Sequence, residues 1–193
     1  MHRLSSAFVL GFHGCDEAVG EKLLAGDKFK NSKNVYDWLG AGMYFWENNP
    51  RRGLEWAVER SKQPKSRIKD PFVVGAVIDL GFCLDLTTSE AAAKIKTAYD
   101  SLVKAYEKSG KPLPVNKDEL RPELDCAVVN WLHYIREQDG AEAFQSVKGV
   151  FIEGNPIYPT AKFREKTHIQ IAVREPKCIK GVFRVDADLL SVP

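Results

Sequence analysis

The chain has little of most features that assign a protein at a glance. Among 193 residues only two are Met and four are His, and Lys plus Arg exceed Asp plus Glu by 28 to 26. A net charge of +2 gives no whole-molecule field with which to gather nucleic acid, so any charge argument has to be local. The four cysteines, Cys15, Cys83, Cys126 and Cys178, form no C-x-x-C pair and have no His at zinc-ligand spacing. That excludes the common zinc modules and reads as reduced thiols in a cytoplasmic protein that needs no metal. No run approaches the ~20 apolar residues of a membrane span, so no membrane partner is expected. The stretch "MHRLSSAFVLGFHGC" is too short in its apolar part for a secretory core and is broken by Gly11 and His13; export by a leaderless route is left open. Internal repeats and low-complexity tracts are lacking too.

What is present is the balance of a globular protein, 44% hydrophobic and 28% charged, at a length that suits one domain over 1–193 with room for an insertion. Residues 7–14 read as a strand ending in glycine. Asp16 is placed to cap a short helix that stops at Gly26, and Asn49 followed by Pro50 marks another helix start. "PFVVGAVIDLGFCLDL", 71–86, reads as one or two strands split by Gly81. From Thr87 to about Asp139 the period becomes helical. Ile95, Tyr99, Leu102 and Tyr106 share one face after a Thr87/Glu90 capping box, and Leu120, Leu124, Val128, Trp131 and Ile135 share another after an entry at Asn116 and Glu119. Strands return in "GVFIEG", "HIQIAV" and "CIKGVFRV", the last two joined at "REPK". The expected class is α+β, with strands at both ends and a helical hairpin inserted at about 87–139.

The most informative stretch is "GAGMYFWENNPRRGLEWA", residues 40–57. Flat rings beside glycines allow a planar ligand to approach the backbone and be held between ring faces, offset stacking contributing ~0.5–1.5 kcal/mol beyond area burial. Alone, Tyr44, Phe45, Trp46 and Trp56 read more simply as core, with Gly40 and Gly42 in a turn. Two further segments supply context: "GFHGC" puts His13 and Gly14 at a strand end, and "HIQIAV" holds Gln170 in an otherwise apolar strand.

These three segments, in this order, resemble the ADP-ribosyltransferase superfamily in the branch shared by diphtheria toxin and the poly(ADP-ribose) polymerases. "HGC" at 13–15 matches the His-Gly strand end, and "GAGMYF" at 40–45 matches the Gly-x-Gly-x-Tyr-Phe strand. Trp56 falls about where the branch carries a second stacking tyrosine, and "QIAV" at 170–173 matches the late strand that opens with glutamate. The resemblance covers residues 7–60 and 149–185. It implies a split antiparallel sheet core and an NAD-dependent mono-ADP-ribosyltransferase of the small toxin or phage-defence type, for which an antitoxin is a partner. By the same resemblance His13 bonds the ribose or adenosine side of NAD, Gly14 meets the nicotinamide carboxamide through its backbone, and Tyr44 and Trp56 sandwich the nicotinamide ring, so that His13, Tyr44 and Gln170 are the expected catalytic set.

Gln170 departs from the pattern. Its amide oxygen can accept a ribose hydroxyl hydrogen bond, but an amide is neither a general base nor a source of negative charge. Three explanations stand: an acceptor nucleophilic enough to need no base, a carboxylate lent by Glu153 or Glu165, or a site that binds NAD without turnover. His168, two residues earlier on the same face, is a further candidate or else a partly exposed strand histidine. The preceding loop carries Tyr158, Lys162, Phe163, Arg164 and Lys166, where the resembling family has its acceptor-facing loop. Cations interleaved with rings suit a phosphate backbone and unstacked bases, so RNA or single-stranded DNA is favoured over protein as acceptor. The alternatives are a solvated loop, modification of a protein, NAD hydrolysis and a silent nucleotide-binding module. Lys62, Lys65, Arg67 and Lys69 add local positive charge, while Arg51 and Arg52 at a helix start suit the NAD pyrophosphate.

Overall fold

A computed structural model describes residues 8–118 and 121–190. In chain order the elements are β1 (Val9–Asp16), α1 (Glu17–Leu24), β2 (Met43–Glu47), α2 (Pro50–Ser61), β3 (Pro71–Ile78), β4 (Cys83–Asp85), α3 (Ser89–Ser109), α4 (Glu123–Gln138), β5 (Ser146–Phe151), β6 (His168–Val173) and β7 (Ile179–Arg184), with short 3-10 turns at Pro176–Cys178 and Ala187–Leu189. The class is α+β. Seven strands form one sheet in the order β4-β5-β6-β2-β1-β3-β7, antiparallel throughout except for β4 beside β5. The predicted strand start at Ala7 and the predicted helix residues Glu119 and Leu120 lie outside the described residues.

Local chemistry accounts for most boundaries. The Asp16 side chain accepts from the Ala18 N–H and Asn49 from the Arg52 N–H, with Pro50 in the first turn of α2. Helix α3 is capped one residue later than its sequence suggests. Thr87 is taken up by Asp85, whose carboxylate accepts from both its N–H and its hydroxyl, so Thr88 becomes the cap. Helix α4 starts at Glu123 rather than near Asn116, because a proline at 122 disfavours helical geometry in the residue before it. Asn116 still serves that helix: its Oδ1 accepts from the N–H groups of Leu124 and Asp125 at 2.9 and 3.3 Å.

The sheet buries side chains on both faces. On one, Met43, Phe45, Ala76, Ile78, Ile171 and Val173 pack together. On the other, the α3–α4 hairpin lays Leu102, Val128, Val129 and Leu132 against Leu39, Val147 and Ala172, with Tyr99, Leu124 and Trp131 around them. The expected packing of the hairpin through these positions is therefore observed. Helix α2 covers the neighbouring part of that face at glycine distance: a Cβ on Gly14 would lie 2.2 Å from the Gly53 carbonyl oxygen.

The ladder is interrupted at the middle of the sheet. Strand β1 pairs with β3 over its whole length, Val9↔Ile78 to Asp16↔Pro71, but with β2 only at Gly11↔Glu47 and Phe12↔Trp46. Beyond those two pairs β1 and β2 part, and β2 continues with β6 alone.

Since Pro122 provides no side-chain cap, Asn116→Ala should lower the unfolding free energy by about 0.5–2 kcal/mol. Urea denaturation followed by far-UV circular dichroism would show the midpoint falling with the slope unchanged.

Candidate functional site

The Leu10 carbonyl accepts from the Asn48 N–H at 2.9 Å. In an antiparallel strand alternate residues turn both backbone groups to the same side, so Leu10, Phe12 and Gly14 all face β2. Phe12 is the last to find a rung there. The N–H and C=O of Gly14 are thus directed into the parting. His13 bridges it, with Nδ1 2.8 Å from the Tyr44 carbonyl oxygen. A carbonyl only accepts, so Nδ1 carries the hydrogen and Nε2 keeps its lone pair. The ring is steadied edge-on by Phe29 at 5.3 Å and in a tilted contact by Phe45 at 5.7 Å. Burial holds its pKa below the ordinary histidine value, against the opposing pull of the Tyr44 bond, so at neutral pH it is a neutral acceptor.

Helix α2 forms the next wall. Gly53 lets it settle on β1, and the Trp56 ring comes within 3.1 Å of where a Cβ on Gly14 would sit. Arg51 lies in the first turn of this helix. His13, Gly14, the Tyr44 backbone and Trp56 are therefore gathered at one parting. The Tyr44 ring is not set against Trp56. Its hydroxyl donates to the Gly40 carbonyl and accepts from the Leu39 N–H, and its ring packs on the hairpin core, where burial raises its pKa well above the usual tyrosine value. The glycines that suggested an open approach instead form the turn, Gly40 at φ +76°, that captures this hydroxyl. The ring that meets Trp56 is Trp46, centroids 5.4 Å apart; it shares a face of β2 with Tyr44, whose ring is held away by the turn at Gly40.

Gln170 is in register with Trp46 on one side and Gly149 on the other. Its amide oxygen, expected to be available to a ribose hydroxyl, accepts from the Trp38 indole N–H at 2.6 Å. Trp38 belongs to none of the three motifs; its only signal in the sequence is an indole two residues before the Gly-x-Gly run. The carboxylates thought able to assist are engaged. Glu153 pairs with Arg52 at 3.0 Å, and Glu165 accepts from the Asn155 N–H within its own loop. His168 is buried, not partly exposed. Its Nδ1 donates to the Lys166 carbonyl at 2.6 Å, and burial lowers its pKa.

Arg52 is only 5% exposed, and besides Glu153 it reaches Glu59 at 3.4 Å, which in turn takes Lys166 at 2.8 Å. This network ties α2 to the segment between β5 and β6. Within it the Lys166 ammonium, itself half-buried, is paired with Glu59 at the base of the loop. The rest of the loop projects as a small hairpin, closed by a Pro156↔Arg164 bridge and the Ile157 N–H to Phe163 carbonyl bond. Its end presents Tyr158 and Phe163, 54% and 66% exposed, with Lys162 and Arg164 also exposed. Two surface grooves of about 480 and 370 Å³ lie along the α3–α4 hairpin, one lined by Ser101, Lys104 and Trp131 and the other by Lys94, Leu132 and Arg136 among others, and neither includes these groups. His133 is packed against Phe144 and Asp125 bonds Asn116, whereas Asn130 of α4 reaches the Gly-x-Gly turn, its Oδ1 accepting from the Ala41 N–H at 2.9 Å. Among the described residues no group of three or more His, Cys, Asp or Glu is arranged to hold a metal ion, and no helix is long and apolar enough to cross a membrane. The four cysteines are free thiols; burial, then Asp16, pushes Cys15 up to about 12.

No protein-family model matches the chain, and no solved structure does. The chain is similar to an uncharacterized protein of Methanocaldococcus jannaschii, 25% identical over 190 residues that span 88% of this chain and 83% of that one.

Three imidazoles, His133 and His168 buried and His13 half-buried, set an acid limit on the fold. His13, His133 and His168 all have lowered pKa values, His133 about 3, through burial and then the nearby Arg174 and Arg136. Below an unfolded value of ~6.5 the unfolded chain binds protons that the folded chain refuses, so stability is complete above that pH and is lost as pH falls toward the folded values. Each histidine contributes up to ~1.4 kcal/mol per pH unit across its window. Urea midpoints measured from pH 7 to pH 4 should fall steadily, and His133→Leu should flatten the slope over that range.

Proposed function

We propose that the chain is an NAD-dependent mono-ADP-ribosyltransferase whose nucleotide lies at the parting of β1 and β2. The observation that carries this reading is the pairing of an unmatched glycine backbone with a ring wall. Gly14 offers one N–H and one C=O side by side, the complement of a carboxamide, and Trp56 stands beside it with a face for a flat heterocycle. His13 Nε2 adds an acceptor for a ribose hydroxyl. The order of the strands also supports it, since β1, β2 and β6 carry the three resembling segments and lie next to one another.

The transfer passes through a ribose with cationic character, and the protein's task is to orient the leaving nicotinamide and to bring an acceptor to the exposed face of that carbon. With an amide at 170, positioning of the acceptor replaces base strength as the main lever. The projecting hairpin at 152–167 suits an unpaired nucleic acid: Tyr158 and Phe163 offer stacking faces, and Lys162 and Arg164 offer contacts to phosphate. The cytoplasm is the expected site of action.

A second reading is favoured by one observation. Glu153 is held by Arg52, and the Gln170 oxygen is held by Trp38, so neither lends charge freely to the reacting ribose. In that reading the chain binds NAD and leaves it intact.

Purified protein given NAD labelled in the adenosine moiety, with separate pools of RNA, single-stranded DNA, duplex and protein, should place label on single-stranded nucleic acid and release nicotinamide. Neutralising Lys162 and Arg164 should reduce labelling and its salt dependence while NAD affinity holds. Trp56→Ala should weaken NAD binding by ~1–3 kcal/mol in calorimetry. Label confined to protein would shift the acceptor assignment, and NAD binding without nicotinamide release would establish the second reading.

A further inference from the structure

An amide side chain has two ends of opposite hydrogen-bonding sense, whereas an indole N–H can only donate. The 2.6 Å contact between Trp38 Nε1 and Gln170 therefore has one consistent arrangement, with Oε1 toward Trp38. The amide nitrogen, at the other end, keeps two N–H donors directed away from the indole.

Trp38 does not owe its place to Gln170. Its ring lies across Gly149, where a Cβ would come within 2.8 Å, and it packs on Phe151 with centroids 5.1 Å apart. Its neighbours in sequence are fixed as well. Asp37 accepts from the Asn34 N–H at 2.7 Å, Leu39 is fully buried, and the Leu39 N–H is bound by the Tyr44 hydroxyl. A donor mounted on so constrained a turn dictates the orientation of a side chain as free to rotate as glutamine.

The geometry points to Trp38 as a positioning residue that holds the Gln170 amide with its nitrogen outward, so that this position takes a hydrogen-bond acceptor of the bound nucleotide, such as a ribose hydroxyl oxygen. The nucleotide half of this assignment rests on the NAD reading above; the orientation of the amide does not. A donor here has the opposite sense to a carboxylate. It grips a hydroxyl oxygen but adds no negative charge beside the anomeric carbon, and this makes the site selective for ribose carrying its hydroxyls.

Nitrogen-15 NMR of the full chain separates the two halves. The Trp38 indole resonance is assigned by its loss in Trp38→Phe and the Gln170 amide by its loss in Gln170→Met. In the free protein the Trp38 N–H should exchange with water at least tenfold more slowly than an exposed indole and should move in Gln170→Met. Added ADP-ribose should move the Gln170 amide protons and leave the Trp38 N–H in place, and Trp38→Phe should weaken ADP-ribose binding about two- to tenfold, the scale of one net hydrogen bond. If Trp38→Phe does not fold, Gln170→Met reads the same pair from the other side. A Trp38 signal indifferent to Gln170→Met overturns the proposal, as does ADP-ribose displacing the indole N–H in place of the amide. No response to ADP-ribose or NAD anywhere, with the Trp38–Gln170 coupling intact, overturns the nucleotide reading while the amide's orientation stands.

Discussion

The bond from the His13 ring to the Tyr44 carbonyl spans a gap that the sheet itself opens. Each of the two strands is held more firmly by its outer neighbour than by the other. Eight register pairs bind β1 to β3 and four bind β2 to β6, against two between β1 and β2. The Gly14–Gly53 approach adds α2 to the hold on β1, and the Tyr44 hydroxyl adds the Gly40 turn to the hold on β2. Their divergence leaves polar backbone without strand partners between them, and one imidazole hydrogen bond, net about 1 kcal/mol, bridges the opening. Everything assigned to the site depends on that opening.

A second constraint ties α2 to the segment between β5 and β6. Arg52 is buried and answered by Glu153 and Glu59, while its Nε and Nη1, with Trp46 Nε1 and His168 Nε2, are buried without hydrogen bonds among the described residues. A buried guanidinium is tolerable only with carboxylates beside it. The acids come from different places, Glu59 and, at 4.0 Å, Glu55 from α2 itself and Glu153 from the strand end that leads into the projecting hairpin, so the helix carrying Trp56 and the hairpin carrying Tyr158 and Phe163 are locked in a common frame.

What the sequence discloses is governed by range. Asp16 and Asn49–Pro50 announce their helices because a cap acts over two or three residues. The cap expected at Thr87 falls one residue later because Asp85 competes for that hydroxyl, and α4 begins late because Pro122 outweighs Asn116. The α+β class and the helical hairpin follow from periodicity alone. Within the site, the strand positions of His13, Gly14 and Gln170 are legible as motif. Which rings meet is not, because Tyr44 and Trp46 share a face of β2 and only the turn at Gly40 decides that one is anchored and the other faces α2. Trp38 and Arg52 are illegible as partners, being 132 and 101 residues from the groups they bind.

The short ladder between β1 and β2 also has a mechanical meaning. The sheet consists of two well-laced panels joined along a line of two pairs, and a ligand seated in the parting would supply the rungs the chain omits. Such a ligand is a structural member as much as a cargo. At a hundred times its dissociation constant it would add about 2.7 kcal/mol to the unfolding free energy, and it would do so by stiffening one line across the middle of the molecule, so that the protein's resistance to heat and to proteolysis at that line would report how much of that ligand surrounds it.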